Sequence, residues 1–168
     1  EVIVLGGTWS FYPETFQIWF TKRIFDALHD FGNSVDRRQE VWDALKADSK
    51  FHPENNITNV TIQGMELNKT YNQVVQNVYS EEMRRSKELV EDIATGVIER
   101  SLIDEYATWE ELEAAHLYNE TADCRVVGLV VETRPDHIDE AEVLRIRRLG
   151  CTKVQIGFQS LNDDVLTA

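Results

Sequence analysis

Val126-Val127-Gly128-Leu129-Val130-Val131-Glu132-Thr133-Arg134-Pro135-Asp136 decides how this chain is read. The run Val126–Val131 is apolar throughout rather than alternating. That is the pattern of a strand covered on both faces, as strands of a parallel sheet are. Pro135 has no N–H to give to a ladder, so the strand ends before it. The strand therefore empties into a polar cluster, Glu132 to Asp136. In parallel sheets and barrels the carboxyl ends of strands are where ligands bind.

Downstream, a helix is predicted from about Asp139. It is acidic at its start and basic in its last turn (Arg145, Arg147, Arg148), the order the helix dipole favours, and Gly150 closes it. Lys153–Phe158 reads as a further strand ending in Gln159-Ser160, and Leu161–Thr167 as the start of another helix. Upstream, Val2–Leu5 is a short apolar strand closed by Gly6-Gly7-Thr8. Pro13 opens a helix whose apolar face carries Phe16, Trp19, Phe20, Ile24 and Leu28, with Gly32 as its left-handed terminator. Residues 33–125 hold no strong strand. Arg38–Asp48 and Tyr71–Glu99 read as helical, Thr58–Ile62 as a weak strand, and Thr108 with Glu111 as the capping box of another helix. The order is βα, a long helical stretch, then βαβα, which implies a parallel sheet. Val2–Leu5, Val126–Val131 and Lys153–Phe158 are expected as neighbouring parallel strands in that order.

Composition narrows the classes. The 168 residues suffice for one domain with a core. No stretch approaches the roughly 18 apolar residues of a membrane span. No secretory leader is evident at the start, and the expected location is cytoplasmic. Both ends read as cut, which makes the chain a segment of something longer. The net charge of −13 opposes a strong grip on nucleic-acid phosphates by this segment. Cys124 and Cys151 are too few for a zinc site or an iron–sulfur cluster and read as small buried fillers. The Asn-x-Ser/Thr triplets at Asn56, Asn59, Asn68 and Asn119 read as chance in an Asn-rich region.

Three strand ends thus offer candidate ligand-binding residues: Gly6, Gly7 and Thr8; Glu132 and Arg134; Gln159 and Ser160. Each has a bland counterpart. The glycines suit any turn, Glu132 and Arg134 could pair with each other, and Gln159-Ser160 could cap the next helix. Their spelling is more specific than any one of them. Gly6-Gly7-Thr8, Glu132-Thr133-Arg134-Pro135-Asp136 and Gly150-Cys151-Thr152-Lys153-Val154-Gln155-Ile156-Gly157-Phe158-Gln159-Ser160 together resemble the radical-SAM domain of the Elongator catalytic subunit family. The resemblance is close over residues 1–32 and 122–168, while about 45–105 has no counterpart there.

The resemblance implies an α/β fold: a partial (β/α) radical-SAM, TIM-like barrel spanning residues 1–168, with a mainly helical insertion over about 45–105. It implies a tRNA-modifying enzyme that forms the carboxymethyl group at C5 of the wobble uridine from acetyl-CoA by way of a 5′-deoxyadenosyl radical. S-adenosylmethionine would be the cofactor, with Gly6, Gly7, Thr8, Glu132, Arg134, Gln159 and Ser160 facing it or the substrate. A 4Fe–4S cluster would be held by cysteines upstream of residue 1, so no metal ligands and no catalytic residue are assigned here, and the segment alone is expected to be inactive. The tRNA would be bound through the full-length protein. Competing readings are a relative of oxygen-independent coproporphyrinogen oxidase and a cluster-less barrel serving as an RNA-binding or assembly scaffold. Lys69, Arg84, Arg85 and Lys87 are read as a solvated helix face, not a phosphate grip.

Overall fold

A computed structural model describes residues 1–47, 80, 84, 87–97, 99–100, 104–158 and 160–162. The chain forms two compact units. One joins Glu1–Val35 to Tyr106–Ala168, and the other is Asp36–Glu105.

The first unit is built on three parallel strands, β1 (Val2–Val4), β2 (Leu129–Thr133) and β3 (Lys153–Ile156), in the order β1-β2-β3. Val4 pairs with Val131, and Val131 with Val154. The neighbours, their order and their direction are those expected from the apolar runs. A closed barrel is not present in these strands; the architecture is a mixed α/β unit with a small parallel sheet.

The central strand begins later and ends later than its apolar run. Val126 is diverted because the Asn119 side chain takes both its backbone groups: Val126 N–H donates to Oδ1 at 2.8 Å, and Nδ2 donates to its carbonyl at 2.9 Å. At the other end Glu132 and Thr133 stay in the ladder opposite Gln155 and Ile156. Gly157 N–H then donates to the Thr133 carbonyl at 3.0 Å. Leu129, Val130 and Val131 are essentially inaccessible. Burying each contributes about 1.5–3 kcal/mol.

Helices α1 (Glu14–Gly32), α3 (Trp109–Asn119) and α4 (Glu140–Arg148) belong to this unit, and α2 (Arg38–Ala47) to the other. One continuous core joins Trp9, Ile18, Phe25, Leu112, Leu129, Val131, Ile146 and Leu149. Thr108 and Glu111 form the expected capping box of α3, and Asp139 caps α4 by accepting from Glu142 N–H at 2.7 Å. Gly32 departs from expectation. It is the last helical residue rather than a left-handed terminator, and Ser34 takes the positive φ (57°) instead. Glycine suits position 32 for another reason: a Cβ there would sit 2.8 Å from the Cys124 nitrogen.

In the second unit Asp36 holds Arg38 in a fork, which keeps its exposed carboxyl down at about 2. Residues 87–94 are helical. The weak strand at Thr58–Ile62, most of the Tyr71–Glu99 helix, and the final helix beyond Asn162 lie outside the described residues, as does most of the proposed insertion.

Candidate functional site

Parallel register puts the carboxyl ends of β1, β2 and β3 on one edge of the sheet. The first end is a glycine turn. Gly6 (φ 92°) and Gly7 (φ 69°) both occupy the left-handed region, which costs an L side chain roughly 1–2 kcal/mol. Their surroundings differ. A Cβ on Gly6 would meet nothing within 4 Å, while one on Gly7 would lie 3.2 Å from the Tyr12 hydroxyl. Gly6 thus offers backbone that a ligand can approach, and Gly7 is backed by the tyrosine. Thr8 leads into a short 3-10 turn, Trp9–Phe11, where its carbonyl accepts from Phe11 N–H at 2.9 Å. Buried Trp9 fixes that turn, its carbonyl accepting from Gln17 Nε2 at 2.8 Å.

At the second strand end, Glu132 is half-buried and points away from the helices, on the face opposite Leu129 and Val131. Its side chain has no hydrogen bond or ion pair among the described residues. Arg134 does not pair with it. Its guanidinium forks onto Asp136, Nε to Oδ1 at 3.0 Å and Nη2 to Oδ2 at 2.7 Å, and both groups are exposed. At the third end Ser160 Oγ accepts from Asn162 N–H at 3.0 Å, a turn-stabilising role. Gln159 lies outside the described residues. Gly6, Gly7, Thr8 and Glu132 thus stand on neighbouring strand ends, with Arg134 committed to its own loop.

Three features went unread in the sequence. Thr133 is buried and its Oγ1 donates to Ser10 Oγ at 2.8 Å, tying the loop after β1 to the end of β2. Tyr12 backs the glycine turn. Lys153 and Gln155 stand on the same sheet face as Glu132, which the alternation Lys153-Val154-Gln155-Ile156 could have signalled.

Beside this edge, on the helix side, lies an open groove of about 660 Å³ that includes Ser10, Glu14, Trp109, His137 and Arg145. Its charges are largely matched internally. Glu14 accepts from Trp109 Nε1 at 2.9 Å and faces Arg145 at 3.9 Å, and Arg145 also pairs with the buried Glu142. Arg148 stacks 4.1 Å over the Trp109 ring and binds Glu113. This network braces the starts of α1, α3 and α4.

The groups implied by the resemblance can be tested against these residues. Open space above Gly6 and the unpartnered Glu132 suit the close approach of a polar small molecule such as S-adenosylmethionine. Among the described residues no group of three or more metal-binding side chains is placed to hold an iron–sulfur cluster. Cys151 is buried, with its thiol pushed up to about 12 by desolvation.

No family model matches the chain, and no solved structure matches it. Curated proteins do. The chain is 50% identical over 54 residues to a tRNA uridine(34) acetyltransferase of Dehalococcoides mccartyi, 32% of this chain and 12% of that protein. It is 44% identical over 57 residues to the protein of that name in Methanocaldococcus infernus, 34% of this chain and 11% of that protein. Elongator complex protein 3 of Schizosaccharomyces pombe is 39% identical over 59 residues, 35% of this chain and 11% of that protein. The matches thus span about a third of the chain and about a tenth of each relative.

Proposed function

We propose that this chain, which shares a segment with the tRNA uridine(34) acetyltransferases and Elongator complex protein 3, is part of a radical-SAM enzyme that builds the carboxymethyl group at C5 of the wobble uridine in tRNA. In the parent the parallel sheet would continue into a barrel, with S-adenosylmethionine as cofactor, acetyl-CoA as co-substrate and a 4Fe–4S cluster held by residues not in this chain. The observation that carries the reading is the left-handed glycine pair Gly6-Gly7 beside the unpartnered Glu132 on adjacent parallel strand ends.

In this reading Gly6 offers its backbone to the polar end of the cofactor, and Glu132 accepts a hydrogen bond from a hydroxyl or ammonium of the ligand. Bound S-adenosylmethionine supplies, on one-electron reduction, the hydrogen-abstracting group. The protein's part is to orient it and exclude water. Thr133 and Ser10 hold the two strand ends in register with one another. Acidic surface keeps this segment from gripping tRNA phosphates, so RNA contacts fall to other parts of the parent.

The test is Glu132→Ala in the full-length protein. Cofactor cleavage and uridine modification should fall at least about tenfold, the loss of one charge-assisted hydrogen bond, while the urea midpoint stays within error of wild type. Unchanged cleavage would remove Glu132 from the site. Absence of any S-adenosylmethionine-dependent uridine product in the wild-type parent would overturn the reading as a whole.

A further inference from the structure

The face of the sheet away from the helices carries polar side chains that the cofactor reading leaves unused. Leu129, Val131 and Val154 turn toward the core, so Val130, Glu132, Lys153 and Gln155 turn the other way. Register sets Lys153 beside Val130 and Gln155 beside Glu132. Lys153 therefore sits two residues, about 6.5 Å, below the row of Glu132.

Lys153 is unusual for its charge. In the unit Glu1–Val35 with Tyr106–Ala168, every other described Lys or Arg side chain has an acidic or carbonyl partner, from Lys22 with Asp26 to Arg148 with Glu113. Lys153 has none among the described residues, nor has Gln155. In a chain of net charge −13, carboxylates are abundant, yet none of the described ones is placed on this ammonium. Glu132, one row above, faces the same side without reaching it.

We propose that Lys153 and Gln155 form a subsite for a small carboxylate, the carboxymethyl arm that the proposed reaction leaves on the uracil ring. This rests on that reading. The Lys153 ammonium supplies the charge, and the Gln155 carboxamide N–H donates a second hydrogen bond.

The experiment measures equilibrium binding to the full-length protein of two probes, the nucleoside 5-carboxymethyluridine and its neutral methyl ester. The acid should bind at least about fivefold tighter than the ester, with the preference shrinking as salt rises. Lys153→Gln should abolish the preference, and Lys153→Arg should retain most of it. Equal affinities in wild type, no detectable binding of either probe, or a preference that survives in Lys153→Gln would each overturn the subsite. The thermal midpoint of each variant is measured alongside. If Lys153→Gln fails to fold, the wild-type acid/ester ratio and Lys153→Arg still decide. The readout needs no cofactor cleavage. A protein that prefers the acid but never modifies uridine keeps the subsite and loses the reaction. One that modifies uridine without the preference loses the subsite alone.

Discussion

Gly6 and Gly7 look alike in sequence and differ in structure. Both need positive φ, but only Gly7 has a neighbour, the Tyr12 hydroxyl, where a Cβ would go. Gly6→Ala should therefore cost about 1 kcal/mol, from backbone strain alone. Gly7→Ala should cost about 1 kcal/mol more, and adding Tyr12→Phe should recover that steric excess. Urea midpoints of the two single variants and of Gly7→Ala/Tyr12→Phe check this; equal losses at both glycines would contradict it. Cys151 gives a second residue-level test. Burial raises its thiol from 9.0 to about 12, so the folded state keeps the proton while the unfolded chain releases it. A raised folded value means stability is complete below pH 9 and is lost progressively as pH rises toward 12. Cys151→Ala should flatten that alkaline decline in pH-dependent urea melts.

At the scale of elements, helix ends and the strand start are set by side chains. The Thr108–Glu111 capping box was readable because both residues sit at fixed offsets before an apolar run. Thr108→Ala should destabilise by about 1 kcal/mol. The start of β2 was not readable, because Asn119 reaches Val126 across a turn and also meets His29 at 3.2 Å. Asn119→Ala leaves those backbone groups without partners and should cost about 2–3 kcal/mol by chemical denaturation. His116 packs against Phe25 and Gly150, whose absent Cβ would sit 2.8 Å from Nε2. Desolvation holds its imidazole below the usual 6.5. The unfolded chain therefore takes up the proton first, and stability falls as pH drops through the region below 6.5. His116→Gln should shrink that acidic loss, measured as the difference in urea midpoint between pH 7 and pH 5.

At the scale of the molecule, the chain forms two compact units. Replacing Asp36–Glu105 by a flexible Gly/Ser linker should leave the amide protection of β2 intact in hydrogen exchange, because the core cluster lies wholly in the other unit. Loss of that protection would make the second unit part of the sheet's stability. Neutralising Lys69, Arg84, Arg85 and Lys87 together should leave both tRNA affinity and its salt slope in the parent nearly unchanged. The described Arg84 already pairs with Glu88, and the chain is strongly acidic. A weaker affinity with a shallower slope would instead identify an RNA-binding element.

The sequence by itself determined the parallel strands, their order, the capping box at Thr108, the helix start near Asp139, and the glycine turn after β1. These follow from local rules: apolar runs, side-chain offsets, and the steric freedom of glycine. It also carried the motif spelling that led to the relatives. Only the tertiary structure decided which partners the charges take. Arg134 goes to Asp136, Thr133 reaches Ser10, and among the described residues the Glu132 and Lys153 side chains are left without partners. Pairing depends on distances between residues up to 123 apart in the chain, which no local pattern encodes.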